Sequence, residues 1–308
     1  MLCRALVGEK RGTTLEKTDQ SPVTVADFGS QALIQRKIST TFPGATFVSE
    51  EDSIALRQPE NRPLLENLTT LVNRVRPATT NQILDWLEWG KAKKNADYFW
   101  TLDPIDGTRG FIRGDQYAVC LCLIVEGELK VAVLGCPRLS AGREDGVSGV
   151  IFGAVAGEGA FQLNSVNETP VAISVSTIDD VTRIRYTESV ESANSSQPDS
   201  ARLARHLGFS TTPWRLDSQV KYAVVAKGDA EVYLRLPTNT TSRENIWDHA
   251  GGALLVSEAG GRVTDIEGRP LDFSRGCRLE DNLGVVVSNG LVHDIILEGI
   301  AGLGIGSR

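Results

Sequence analysis

Two carboxylates, Asp103 and Asp106, stand three residues apart in the stretch Trp100-Thr-Leu-Asp-Pro-Ile-Asp-Gly-Thr-Arg-Gly-Phe111. Pro104 sets its own φ and pushes Asp103 out of the helical region, so the spacing predicts a strand that ends at Asp103 and bends immediately afterwards. Such a bend brings both acids to one point, where they repel unless a proton or a cation lies between them. Oxygen-only ligands select a hard divalent ion such as Mg²⁺. Gly107 and Thr108 read as the opening of a helical turn, whose free N–H groups and dipole suit a phosphate. For an arbitrary Asp-x-x-Asp pair, a turn with solvated acids is the plainer account. Here the Pro and Gly at the end of an aromatic-rich strand (Tyr98, Phe99, Trp100) speak against it.

Further acids fall at predicted strand ends and helix starts. Asp27 opens the apolar-periodic run Phe28 to Ile38, where an acid ordinarily serves as a helix cap. Taken alone, the cap is the better reading. Glu50-Glu51-Asp52 follows the short strand Thr46 to Ser49 and reads either as a solvated loop or as a further metal ligand. Asp248 is expected in the first turn of a helix running from Ile246 to Ala259, where an acid complements the helix dipole. No one of these is decisive; together they are what a multi-metal phosphate site needs.

The elements that must position these groups alternate between strand and helix. Helices are predicted over Leu64 to Val75, Ile83 to Trp89 and Leu291 to Ile300, and the apolar runs Tyr117 to Val125 and Leu129 to Cys136 read as a hairpin. The segment Leu216 to Ala226 reads as a helix opened by Asp217 or Ser218, which sets Ser218 and Lys221 on one face. Arg235 lies near the end of the strand Glu231 to Leu236, which leads toward Asp248. Residues 1 to 17 are weakly patterned and expected to be partly mobile. The clusters Arg57-Gln-Pro59 and Lys91-Ala-Lys-Lys94 read as loops. With 308 residues the chain is large enough for two lobes, which we expect at 1–166 and 167–308.

Composition excludes several classes. The net charge of −7 argues against sequence-independent binding of nucleic acid. No run approaches the roughly 18 apolar residues of a membrane span, and the start Met1 to Gly8 is too short an apolar run for a signal peptide, so the expected location is the cytoplasm. The five cysteines include no Cys-x-x-Cys pair, and His206, His249 and His293 lack zinc-ligand spacing; buried thiols in a reducing compartment are expected.

Five ordered motifs resemble one family: Ser21-Pro-Val-Thr-Val-Ala-Asp27, Ser49-Glu-Glu-Asp52, Leu102 to Phe111, Asp217-Ser-Gln-Val-Lys-Tyr222 and Ile246-Trp-Asp-His-Ala-Gly-Gly252. They are similar to the lithium-sensitive, magnesium-dependent phosphomonoesterases that include inositol monophosphatase and fructose-1,6-bisphosphatase, and most of all to the 3′(2′),5′-bisphosphate nucleotidase branch. The resemblance implies an α/β fold, a layered αβαβα sandwich of two lobes with the site between them. It implies two or three Mg²⁺ per site, held by Glu50, Asp103, Asp106, Asp248 and the carbonyl of Ile105. Asp27 and Thr108 would position and deprotonate the attacking water, and Thr108, Ser218, Lys221 and Arg235 would contact a small-molecule nucleotide substrate. The implied reaction converts 3′-phosphoadenosine 5′-phosphate to AMP and phosphate, with its sulfated derivative a further substrate, in a monomer without nucleic-acid or membrane partners. Two alternatives stay open: an inositol or other sugar phosphatase, and a nucleotide-binding protein without turnover. The chain departs from its relatives at Ala193 to Gln197, which contains no histidine, and at Pro237 to Asn245, which lacks the usual lysine.

Overall fold

A computed structural model describes residues 14–17, 22–91, 97–140, 148–163 and 169–307. Ser21, Cys3 and most of the Lys91 to Lys94 cluster lie outside the described residues, as does most of the 1–17 segment.

The first strands, β1 (Thr14–Glu16) and β2 (Pro22–Thr24), pair antiparallel and lead directly into helix α1 (Val25–Thr41). Strand β3 (Phe47–Ser49) follows, then α2 (Arg62–Asn73) and α3 (Thr80–Glu88). Both helices carry an apolar stripe, Leu64, Leu68, Leu71 and Val72 on α2 and Ile83, Leu84 and Leu87 on α3. The two stripes meet Phe28 and Ala32 of α1 in one core. The long strand β4 (Tyr98–Asp106) runs against α1 and gives way to the single helical turn and a half of α4 (Thr108–Arg113).

Strands β5 (Ala118–Val125), β6 (Glu128–Ser140), β7 (Ser148–Val155), β8 (Gly159–Leu163) and the two-residue β9 (Val171–Ala172) then extend a seven-stranded sheet in the order β3 to β9. Only β3 and β4 are parallel; the rest is an antiparallel meander. The sheet's last strand lies just past residue 166.

The second sheet is built from β10 (Tyr186–Ser189), β11 (Trp214–Leu216), β12 (Val232–Arg235), β13 (Arg262–Thr264) and β14 (Val285–Ser288), in the order β11-β10-β12-β14-β13. β11, β10 and β12 are mutually parallel, and β14 runs antiparallel between β12 and β13. Helix α5 (Gln197–Leu207) packs through Leu203 with Ile296 and Ile300 of α8 (His293–Gly302) on one face of this sheet.

Between the two sheets lie α6 (Val220–Ala226) and α7 (Ala250–Glu258). Neither shows a polar face: every residue of α6 is buried, and α7 is buried from Ala250 to Val256. A helix buried on every side belongs in a central layer, and apart from Lys221 and the last residues of α7 these two share one core with Cys120, Leu134 and Phe152 of the large sheet and Tyr233 and Val287 of the small one. The chain is thus a five-layer αβαβα sandwich, the expected architecture. Cys120, Cys122 and Cys136 are buried free thiols in that core. Among the described residues, no helix is long and apolar enough to cross a membrane.

Candidate active site

The strand carrying Asp103 does not end there. β4 continues through Asp106, and its ladder with β5 shifts register between the Asp103–Cys120 and Asp106–Ala118 pairs, a bulge rather than a terminus. Pro104, with no N–H to offer a ladder, falls inside the bulge, and the Ile105 N–H turns back to Asp103 Oδ1 at 3.1 Å. Ladder pairing on both sides holds the two acids more firmly than a free turn would. Gly107 then takes φ +84°, and a Cβ there would sit 3.1 Å from Ser218 Cβ. Glycine therefore lets the strand turn into α4 while the Asp217–Ser218 corner closes over it.

Asp248 joins these acids from the opposite side of the cleft. It lies in a short 3₁₀ turn, Ile246–Asp248, that His249 separates from α7, and so not in the first turn of a continuous helix as the sequence predicts. Carboxylate oxygens of Asp103, Asp106 and Asp248 lie within 4.8 Å of one another. Burial, and then the charges of Glu50, Asp106 and Asp248, push Asp103 well above the usual carboxylate range. Burial likewise raises Asp106 to about 6, against the nearby Lys221 charge, and Asp248 to about 7, with Asp106 adding to the effect. Three crowded acids, Asp103 buried and Asp106 and Asp248 half-buried, all raised by burial and offering only oxygen donors, fit a hard divalent cation.

Glu50 lines the same cleft but is engaged elsewhere. Lys17 Nζ donates to Glu50 Oε1 at 2.8 Å and to Glu51 Oε1 at 2.5 Å. Burial disfavours the ammonium, yet the two carboxylates outweigh it and hold Lys17 above its ordinary value. Gln31, buried on α1, clamps the backbone behind them: its Nε2 donates to Glu51 O at 2.6 Å and its Oε1 accepts from Glu51 N at 3.0 Å.

Asp27 combines the two readings of its sequence position. It is the third residue of α1, not the cap; Thr24 is the cap, and Asp27 Oδ2 accepts from Thr24 N at 2.8 Å and Thr24 Oγ1 at 2.6 Å in a reciprocal capping box. The other oxygen, Oδ1, faces Thr108 Oγ1 at 3.1 Å, and that hydroxyl is also 3.1 Å from the Ile105 carbonyl. Burial first, then the Glu50 charge, raises Asp27 to about 7.

Across the cleft, α6 begins at Val220, later than the sequence predicts. Ser218 precedes it with a left-handed φ of +67°, so Ser218 and Lys221 do not share a helix face. They meet for another reason: Lys221 Nζ folds back to donate to the carbonyls of Ser218 at 2.7 Å and Leu216 at 3.1 Å. Burial lowers Lys221 to about 8; the Asp106 charge opposes that shift and the Arg235 charge adds to it. Arg235, at the end of β12, is no solvated surface charge: its Nη2 pairs with Glu244 at 2.5 Å, and burial disfavours both ions while each holds the other charged. Glu244 comes from the Pro237–Asn245 connection, whose polar sequence carries no sign of this role.

Gln219, equally unforeseen, ties the two sides together. Its backbone N–H reaches Asp106 Oδ2 at 2.6 Å, its Nε2 donates to Trp247 O at 2.8 Å, and its Oε1 accepts from Gly252 N at 2.8 Å. The available signal was an amide at the head of a helix whose side chains, Lys221 and Tyr222 apart, are wholly apolar.

Every predicted site residue except Asp27 lines this one cleft, and Asp27 lies directly behind Thr108. The profile of the inositol monophosphatase family matches residues 2–301. A 3′(2′),5′-bisphosphate nucleotidase of Schizosaccharomyces pombe is 39% identical over 318 aligned residues, covering 96% of this chain and 88% of that protein. Among solved structures, an IMPase of Thermotoga maritima superposes with a TM-score of 0.66 at 20% identity, over 98% of this chain and 92% of the other. An IMPase/NADP phosphatase in complex with NADP and Ca²⁺ gives 0.65 at 18% identity, over 98% and 90%. At those identities the structural likeness speaks for the fold.

Proposed function

The chain belongs to the inositol monophosphatase family, and on that footing we propose that it is a Mg²⁺-dependent phosphomonoesterase that removes the 3′-phosphate of 3′-phosphoadenosine 5′-phosphate. The observation that carries this reading is the mixed lining of the cleft, in which Asp103, Asp106 and Asp248 share one pocket with Lys221 and Arg235. A substrate bearing two phosphates suits such a lining, one at the acids through intervening cations and one at the basic groups. Similarity to a bisphosphate nucleotidase over nearly the whole chain supports the same assignment.

Asp103, Asp106, Asp248, Glu50 and the Ile105 carbonyl would hold two or three Mg²⁺. Bound there, the cations supply Lewis acidity that lowers the pKa of a water and offsets charge on the leaving 3′-oxygen. The chain's own groups do the rest. Thr108 Oγ1 would take a proton from the attacking water as it passes its own to Asp27 Oδ1, so that the hydroxyl is regenerated and the proton ends on the carboxylate. Because Oδ2 is committed to Thr24, Oδ1 is the acceptor, and burial keeps that carboxylate basic enough to take a proton. Lys221 Nζ donates to two backbone carbonyls, which leaves one proton that would serve the substrate's other phosphate. Ser218, held at the cleft by its left-handed backbone, would contact the nucleoside.

The test is phosphate release by the wild-type protein in Mg²⁺ from 3′-phosphoadenosine 5′-phosphate and from inositol 1-phosphate. The nucleotide should be favoured in kcat/KM by roughly a hundredfold, the product of two lost charge-assisted contacts at about tenfold each. Equal rates, or a preference for inositol 1-phosphate, would transfer the chain to the sugar phosphatases.

A further inference from the structure

Strands β11, β10 and β12 run parallel, and their carboxyl ends form one wall of the cleft. Ser189, the last residue of β10, is level with Leu216 of β11. The β10–β12 register, with Thr187 opposite Tyr233, places Ser189 level with Arg235 two residues further along. Ligands of open α/β sheets are taken at the carboxyl ends of such strands.

Ser189 is 3% exposed, and its Oγ has no hydrogen-bond partner. The Nε of Arg235 is buried and equally unpartnered. Other buried side-chain atoms lack partners, such as Thr101 Oγ1 and Ser200 Oγ, but among the described residues only Ser189 and Arg235 combine an orphaned atom with a place in the cleft lining. Native proteins rarely leave buried polar atoms unsatisfied, and two on neighbouring strand ends facing one cleft call for a single ligand group between them.

Resting on the nucleotidase reading, we infer that Ser189 is a substrate-binding residue, its hydroxyl donating to the non-reacting 5′-phosphate that Arg235 Nε also holds. An acceptor-only oxygen suits both orphans at once, since Arg235 can only donate and the Ser189 hydroxyl is free to rotate. The reacting phosphate is needed at the acidic end, which leaves the 5′-phosphate for this wall. Glu244 neutralises the Arg235 charge, so a second directed donor beside it adds discrimination that the guanidinium alone does not provide.

The test compares Ser189→Ala and Ser189→Gly with the wild type by titration calorimetry, using AMP, which keeps the 5′-phosphate, and adenosine, which lacks it. Wild-type protein should bind AMP more tightly than adenosine, and both variants should lose about tenfold of that ratio, as for a hydrogen bond to a charged group. The same loss should appear in kcat/KM for 3′-phosphoadenosine 5′-phosphate relative to 3′-AMP. An unchanged AMP-to-adenosine ratio in a variant with wild-type thermal stability would overturn the assignment of Ser189. Wild-type protein that binds AMP and adenosine equally would instead remove the nucleotidase reading beneath it.

Discussion

Asp106 illustrates how much one side chain carries. Its Oδ2 accepts the Gln219 N–H, and one of its carboxylate oxygens lies within 4.8 Å of those of Asp103 and Asp248. Asp106→Asn preserves an acceptor for Gln219 and removes only charge from a cluster that is strained without a cation. We therefore expect the variant to lose Mg²⁺-dependent turnover by at least a thousandfold. Its melting temperature in a chelator should match or exceed that of the wild type, whereas Mg²⁺ should raise the melting temperature of the wild type and raise that of the variant less. Near-normal turnover by a folded variant would remove Asp106 from the metal set. At this scale the sequence was informative where backbone rules mark the residue: Pro104 and Gly107 flag the paired acids. It was silent for Lys17 and Glu244, long polar side chains in unpatterned segments whose partners lie 33 and 9 residues away.

At the scale of elements, the cleft depends on joints between them. The sequence predicts α6 starting at Asp217 or Ser218 and a continuous helix from Ile246. Instead the chain breaks at both places, because the left-handed Ser218 and the 3₁₀ turn of Asp248 aim side chains into the cleft. Propensity reads runs of residues and misses such single-residue departures, where tertiary contacts decide the conformation. Gln219 spans the two breaks, so Gln219→Ala would leave the Gly252 N–H and the Trp247 carbonyl without their partners. We expect a stability loss of about 2–4 kcal/mol, and a rise of about tenfold or more in the Mg²⁺ concentration that half-activates the enzyme, as for other groups that orient metal ligands. Denaturant unfolding and a Mg²⁺ titration of activity measure the two. An unchanged Mg²⁺ requirement would reduce Gln219 to a packing role.

For the whole molecule, the sandwich was legible through the family that the five ordered motifs resemble; in the structure its central layer is α6 and α7, packed between the two sheets. The cleft follows from that layering, with Glu50 just after β3 and the acids of β4 meeting Asp248 and the strand ends of the small sheet. The central claim is that the acids meet the 3′-phosphate while Lys221 and Arg235 retain the 5′-phosphate. Product identity tests it most directly: 3′-phosphoadenosine 5′-phosphate is incubated with the wild-type protein and Mg²⁺, and the nucleoside monophosphates are separated by chromatography. The account predicts 5′-AMP and one equivalent of phosphate, whereas accumulation of 3′-AMP would place the substrate the other way round and contradict it.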